Sequence, residues 1–318
     1  MNYKLTTGIA MAVAATVLVS CGTGTPEKTA EKPMEAPPAK IEVNDFFKNP
    51  EKASFRISPN GEYFSYRAPW NNRMNVFVQK IGEDTPTQVT HDTIRDVGGY
   101  FWKGDRILYT RDINGDENYI VFSASMDGKD VKTLSPEKGV RAGVMDDLHN
   151  IAGMEKMVIV QMNKRNPEVF DPYLVNIETG ETKALYNNKE NYENFTTDHT
   201  GMIRLASMTD GTDQVLYHRA NDKEPFVEIK RTGFKDSFAP LFFTFDNKNL
   251  YASSNLNGRD KSAIVEYDIA AGKEVKEIFA NADYDVDNLN YSRKRKVLTV
   301  VSWTGAKSEH AFLDKETE

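Results

Sequence analysis

The most constraining feature of this chain is a β-rich unit that repeats every 44 to 50 residues. The second predicted strand of each unit follows a polar turn, and its copies begin at Glu62, Arg106, Lys156, Met202, Asn249 and Lys296. The clearest copy, residues 243–278, contains four short runs of β-branched and aromatic residues separated by turn residues. Four strands per unit at a fixed period of this size are typical of propeller blades. The sequence therefore predicts an all-β propeller of about six four-stranded blades, the last one incomplete.

Glycines mark equivalent hairpin turns in these units. Gly128, Gly180 and Gly272 each lie between the third and fourth predicted strands, and Gly258 lies in the turn before a third strand. Tight hairpin turns need a positive φ, which glycine adopts without steric cost. We therefore predict a left-handed backbone conformation at these four positions.

The composition is that of an ordinary globular protein, with 39% hydrophobic and 27% charged residues. The formal net charge of −7 comes without the basic patch that nucleic-acid binding requires, so nucleic acid is not an expected partner. No glycine-rich loop leads into a helix, and no histidine pair has helical i, i+4 spacing. We therefore predict no cofactor and no metal site.

The N-terminal segment has the pattern of an export signal. Lys4 supplies a positive charge, residues 8–19 form an apolar run, and small residues follow. The run is shorter than the roughly 20 residues of a membrane-spanning helix, so residues 1–20 are predicted to be a signal peptide. The sequence Leu-Val-Ser before Cys21 resembles the lipobox of bacterial lipoproteins. That resemblance implies that Cys21 is lipidated; the alternative is a plain signal peptide with an incidental cysteine.

The lipidated cysteine would be followed by a tether and then by the folded domain. Residues 21–44 are rich in Thr, Pro, Glu, Lys and Ala and cannot bury a core, which predicts a disordered linker. We place the propeller at residues 45–318, opening with a helical turn that Asp45 caps and that carries Phe46 and Phe47. The lipid would hold this domain in the bacterial cell envelope, on the periplasmic face of a membrane.

Three motifs resemble those of one peptidase family. An SPNG turn at residues 58–61 precedes an alternating aromatic strand, a feature of prolyl-oligopeptidase-like (S9) serine peptidases and also of TolB-type propellers. The sequence D-I-N-G-D-E-N-Y at residues 112–119 and the segment with G-R-D at residues 258–260 are similar to the acylaminoacyl-peptidase and dipeptidyl-peptidase-like branch. The resemblance runs from Asp45 to the C-terminus. It implies a propeller domain of a peptidase that acts on short peptides.

The turn at residues 112–119 is dense in oxygen ligands, which also suggests a calcium site. An EF-hand loop needs glycine at its sixth position and a distant glutamate, whereas Gly115 is the fourth residue from Asp112. A hydrogen-bonded hairpin turn is therefore the favoured interpretation.

The family's catalytic residues are missing from this chain. S9 peptidases carry their serine in a G-x-S-x-G elbow of an α/β-hydrolase domain, and no G-x-S-x-G occurs here. The histidines are interpreted as surface or packed residues scattered over different blades: His91, His149, His199, His218 and His310. The last repeat stops at its final turn, before a fourth strand. We therefore expect no catalytic residue in the chain and a hydrolase domain beyond it.

Three functions fit these observations. The first is the substrate-gating propeller of a lipid-anchored S9-like exopeptidase or oligopeptidase, whose peptide substrates are cleaved by the missing domain. The second is a non-catalytic TolB-like propeller that binds or scaffolds envelope proteins. The third is a propeller enzyme acting on glycans or other small substrates; its best acidic candidates, Asp112, Asp210 and Asp260, are predicted to lie in turns.

Overall fold

The structure is a computed structural model, and it describes residues 39–136 and 138–318. Cys21 and the predicted signal peptide lie outside these residues. A short helix, α1, spans Val43–Phe46, and its N-cap is Glu42 without a side-chain cap. The predicted capping role of Asp45 is therefore wrong. The helix begins at Val43, two residues before Asp45, so the Asp45 carboxylate lies in the first turn. There it interacts favourably with the partially positive N-terminus of the helix, and it also contacts Lys48.

From Asn49 onward the described chain folds into antiparallel sheets. Each sheet is made of strands that are consecutive in the chain, and each sheet is one blade. Blade one contains β1 (Ala53–Ile57), β2 (Tyr63–Trp70), β3 (Arg73–Lys80) and β4 (Thr87–Gln88). Blade two contains β5 (Tyr100–Lys103), β6 (Arg106–Arg111), β7 (Ile120–Ser125) and β8 (Val131–Thr133). Blade three contains β9 (Ala142–Asp146), β10 (Met157–Asn166), β11 (Val169–Asn176) and β12 (Thr182–Ala184).

The second half continues the same pattern up to the final sheet, which has three strands among the described residues. Blade four contains β13 (Asn194–Thr197), β14 (Ile203–Asp210), β15 (Asp213–His218) and β16 (Val227–Thr232). Blade five contains β17 (Phe238–Phe243), β18 (Leu250–Ser254), β19 (Ala263–Asp268) and β20 (Lys273–Phe279). Blade six contains β21 (Val286–Ser292), β22 (Val297–Thr304) and β23 (Ser308–Phe312). The predicted all-β propeller class is confirmed.

The core of the propeller lies between blades. Five clusters of buried apolar side chains each join two consecutive blades. Between blades one and two, Val78 of β3 belongs to the same cluster as Trp102 of β5 and Phe122 of β7. Between blades five and six, Ile264 of β19 clusters with Val301 of β22. Because one blade has too little apolar surface to form a core alone, each repeat is stabilised by its neighbours.

The predicted turn glycines are confirmed as positive-φ residues. Gly272 has φ +65° and connects β19 to β20, and Gly128 has φ +69° between β7 and β8. Their surroundings differ. A Cβ atom at Gly272 would come no closer than 3.9 Å to the Tyr267 hydroxyl, whereas at Gly128 it would lie 2.8 Å from the Val89 carbonyl oxygen. The turn of blade two thus packs directly on the backbone of blade one.

We expect Gly272→Ala to lower the free energy of unfolding by about 1 kcal/mol, because alanine is strained at positive φ. Gly128→Ala should cost more, since the added methyl group also overlaps the Val89 carbonyl. The control is Lys129→Ala in the same turn, where the side chain is 85% exposed and the change should stay within about 0.5 kcal/mol. Urea denaturation of the three variants would measure the differences, and equal effects at all three sites would contradict the proposed packing.

Candidate functional site

The first strands of blades three to six, β9, β13, β17 and β21, end around one cavity of about 550 Å³. Its walls are the last residues of these strands and the first residues of the turns that follow. Cavities of this size are typical of small-molecule sites. Four blades therefore contribute equivalent positions of the repeat to one concave surface.

Blade three supplies two carboxylates. Asp146, the last residue of β9, accepts a hydrogen bond from the Leu148 N–H at 2.7 Å and another from the Thr197 hydroxyl of blade four. Asp147 accepts one from the His149 N–H at 3.0 Å through Oδ1. These bonds fix the direction of the loop after β9 and leave both carboxylates on the cavity wall.

The same loop is held from behind by a buried lysine. Lys103 of blade two donates to the backbone carbonyl oxygens of Asp147 at 2.6 Å and Leu148 at 3.2 Å. Burial lowers the pKa of the Lys103 ammonium, although the nearby carboxylates of Asp147 and Asp146 act in the opposite direction. Lys103 is therefore an anchor for the loop and does not line the cavity.

Blade four contributes His199 in the turn after β13. Its Nε2 lies 2.9 Å from the Phe243 carbonyl oxygen, which only accepts hydrogen bonds, so Nε2 carries the proton. The ring packs on Phe245 and Tyr291, with centroid distances of 5.4 Å to each. Burial lowers the pKa of His199, so the imidazole is neutral at neutral pH and Nδ1 keeps its lone pair.

Blade six contributes two cations from the turn after β21. The Arg293 guanidinium donates to the His149 carbonyl oxygen at 2.6 Å and reaches the Tyr291 hydroxyl at 3.5 Å. The first of these bonds joins the turns of blades three and six across the cavity. Lys294, the next residue, is exposed and also lines the cavity.

An apolar wall completes the site. Phe242 of β17 and Tyr291 of β21 pack at a centroid distance of 4.3 Å, and Leu241 lies beside them. The site thus combines charges of both signs with an aromatic surface. Within the described residues no hydrogen bond joins His149 or His199 to a serine, so the arrangement can bind a ligand but contains no serine–histidine pair for acyl transfer.

The acidic candidates from the sequence lie elsewhere. Asp112 is buried and accepts from Arg95 at 3.0 Å, and Asp116 accepts from the Asn118 N–H at 3.1 Å, which confirms a hydrogen-bonded turn. Asp210 is exposed and pairs with Arg231, and the Asp260 side chain is 91% exposed. Residues 39–136 and 138–318 contain no cluster of three or more His, Cys, Asp or Glu placed to hold a metal ion.

Sequence reasoning missed this cavity. It interpreted the histidines as scattered, whereas the structure brings His149 and His199 to the same cavity. One sequence signal could have revealed the site, namely the position of each residue relative to the second strand of its blade. His199 lies a few residues before β14 and Arg293 a few residues before β22, so the two occupy equivalent turns. His149 was hidden from that comparison by the longer connection between β9 and β10.

Comparisons with known proteins find two dipeptidyl peptidases that are similar to this chain in sequence. No protein-family model matches the chain. The chain is 31% identical over 240 residues to dipeptidyl aminopeptidase BIII of Pseudoxanthomonas mexicana, covering 71% of this chain and 33% of the relative. It is 28% identical over 221 residues to dipeptidyl peptidase family member 6 of Caenorhabditis elegans, covering 64% and 29%. The chain thus spans about a third of the length of these curated relatives.

A solved structure shows the same fold. The crystal structure of Porphyromonas gingivalis dipeptidyl peptidase 4 superposes with a TM-score of 0.53, covering 83% of this chain and 45% of that one at 12% identity. The similarity to peptidases inferred from sequence motifs is therefore confirmed at this level: the chain's relatives are dipeptidyl peptidases, and the propeller fold is shared.

Among the described residues, no helix is both long and apolar enough to cross a bilayer.

Proposed function

We propose that this chain is the propeller portion of a lipid-anchored S9-like serine peptidase that acts on short peptides, with its α/β-hydrolase domain outside the chain. The observation that carries the proposal is the 31% identity to a dipeptidyl aminopeptidase over 240 residues. The absence of a G-x-S-x-G elbow from the sequence is consistent with it, because the nucleophile of such an enzyme would belong to the other domain.

In this proposal the propeller selects substrates and does no chemistry. A propeller that covers a hydrolase cavity admits short or unfolded peptides and excludes folded proteins by size. Acyl transfer needs a nucleophile held against a base and facing an oxyanion hole. The propeller contributes access and peptide contacts, and the cavity that blades three to six line offers charged and aromatic groups for such contacts.

The test compares two purified proteins. The chain as given should neither react with a fluorophosphonate probe nor cleave dipeptidyl nitroanilides. The longer reading frame should do both, and it should lose both when the serine of a downstream G-x-S-x-G is changed to alanine, because that residue would be the nucleophile.

Two outcomes would contradict the peptidase proposal. One is probe labelling of the chain as given, which would place a reactive serine among its own residues. The other is a longer reading frame that ends without a G-x-S-x-G elbow. The second outcome would favour the non-catalytic TolB-like scaffold, since the same propeller would then have only binding partners.

Membrane attachment through Cys21 is the second part of the proposal, and it places the chain on the periplasmic face of the envelope. Two or more acyl chains give stable anchoring, with about 0.8 kcal/mol from each buried methylene group. We expect cells grown with labelled palmitate to label the wild-type protein. The variant Cys21→Ser should be unlabelled and should fractionate away from membranes.

Lys4→Gln is not a suitable control, because it alters the export signal itself; a substitution in the linker, Lys28→Gln, leaves both signal and cysteine intact. That variant should be labelled like the wild type. Label on Cys21→Ser, or none on the wild type, would show that the chain is not a lipoprotein.

A further inference from the structure

We infer that the cavity between blades three and six binds a short zwitterionic peptide. In this assignment the peptide carboxylate lies against Arg293 and Lys294 of blade six, and the peptide ammonium lies against Asp146 and Asp147 of blade three. The choice of a peptide over other zwitterions rests on the proposed function. The charges that define the site are observed in the structure and are independent of that function.

The first argument is the charge state of the walls. Asp198 at the cavity edge already has a cation, Arg204, 3.6 Å away. In contrast, neither cation of blade six forms a salt bridge with any carboxylate of the described residues, and neither does Asp146 nor Asp147. Besides the Asp198–Arg204 pair, two carboxylates and two cations thus line one cavity without a salt bridge between them, and the Lys103 ammonium lies behind the loop that carries the carboxylates. A ligand with both charges would satisfy them together.

The second argument is unused hydrogen-bonding capacity. An arginine has five N–H donors, and Arg293 uses two of them, toward His149 and Tyr291. The remaining donors can hold a carboxylate in the bidentate manner that guanidinium groups favour. On the wall that blade three forms, Oδ2 of Asp147 accepts no hydrogen bond from the described residues and can accept one from an ammonium.

The third argument is that the two charged walls meet at one residue. The Arg293 guanidinium donates to the His149 carbonyl oxygen at 2.6 Å, and the His149 N–H donates to the Asp147 carboxylate at 3.0 Å. His149 thus contacts both a cation of blade six and a carboxylate of blade three. A short ligand with a charge at each end can therefore reach both.

The fourth argument is the apolar wall beside the cations. Tyr291 touches Arg293 through its hydroxyl and packs on Phe242. A carboxylate held at Arg293 therefore places the side chain of the same peptide residue against an aromatic surface. Apolar and aromatic side chains at the C-terminal position of the peptide should bind best, because they bury that surface.

The test is calorimetric titration of the purified chain with alanyl-phenylalanine and three analogues. Alanyl-phenylalaninamide lacks the carboxylate, N-acetyl-alanyl-phenylalanine lacks the ammonium, and free phenylalanine keeps both charges but is shorter. We expect the amide and the N-acetyl analogue each to bind about tenfold more weakly or worse, since each loses a charge-assisted hydrogen bond. Free phenylalanine should also bind more weakly if the site is selective for a peptide, as the proposed function requires. These comparisons need no variant and cannot be confused with misfolding.

Variants then assign the carboxylate contact. Arg293→Gln should weaken the dipeptide at least about tenfold but leave the amide unchanged, and Arg293→Lys should recover part of the loss. Arg295→Gln is the matched control: this arginine lies in the same turn but outside the cavity, where it pairs with Asp314 at 2.6 Å. It removes the same charge and should not change dipeptide binding. Thermal melting of each variant checks the fold.

Each result decides between alternatives. No heat of binding at millimolar dipeptide, or equal binding of dipeptide and amide, overturns the site. Equal binding of phenylalanine and dipeptide overturns the peptide assignment and leaves an amino-acid site. Since binding is measured on this chain and peptidase activity on the longer reading frame, an active enzyme without binding rejects only the site. Binding without any peptidase rejects only the proposed function.

Discussion

Replacing Arg165 by methionine is expected to lower the free energy of unfolding by about 3–5 kcal/mol. Arg165 of β10 binds Asp171 of β11 through two hydrogen bonds, Nε to Oδ2 at 2.7 Å and Nη2 to Oδ1 at 2.9 Å. The Asp171 side chain is completely buried. Without its arginine this carboxylate would keep the Asn188 N–H, at 2.8 Å, and the nearby Tyr173 hydroxyl, but no salt-bridge partner among the described residues. An uncompensated buried charge is the reason for the large effect.

The matched control is Arg231→Met. Its side chain is 37% exposed, close to the 38% of Arg165, but its partners Asp210, Glu228 and Asp213 are 61%, 42% and 35% exposed and stay hydrated when the arginine is lost. The loss should be about 1 kcal/mol or less. Chemical denaturation of both variants measures the difference. The double variant Arg165→Met/Asp171→Leu should lose less than the sum of its single changes, and additivity would mean that the pair contributes nothing as a pair.

The second large effect is expected at Phe243, the last residue of β17. The ring is 1% exposed and belongs to the cluster between blades four and five, and the Arg204 guanidinium lies 5.1 Å from its centroid. Phe243→Ala should lower the free energy of unfolding by about 3–5 kcal/mol, because it removes the buried ring and leaves a cavity. The bond from His199 goes to the Phe243 backbone oxygen and is retained.

Phe234→Ala serves as the control, since this phenylalanine is 78% exposed and its loss should change stability by no more than about 0.5 kcal/mol. Thermal or urea unfolding of the two variants gives the comparison. Similar values for both would mean that the junction between blades four and five does not support the fold as the structure indicates.

The sequence by itself determined the blade architecture. The starts predicted for the second strands at Glu62, Met202 and Asn249 lie one residue before β2, β14 and β18 as observed. This succeeded because alternation along a strand and the conformation of a tight turn depend on neighbouring residues, and six repeats reinforced one another. The positive φ of Gly128 and Gly272 was predictable for the same local reason.

Short-range reasoning was less successful for the start of α1. Asp45 is a good N-cap residue, yet the helix begins after Glu42 without a side-chain cap. The sequence did not distinguish a capping position from a first-turn position for Asp45, because a carboxylate stabilises a helix from either place. The position of a four-residue helix is decided by such small differences.

Only the tertiary structure decided the candidate site. Arg293 and the His149 carbonyl are 144 residues apart in the chain, and their contact exists because four blades bring the ends of their first strands to one cavity. Which turn residues face that cavity depends on how successive blades pack and on the length of each turn. The repeat period gives no information about the packing of the blades or about the lengths of the turns. It predicts that equivalent turns meet, and the packing of the blades determines which of their charges remain unpaired.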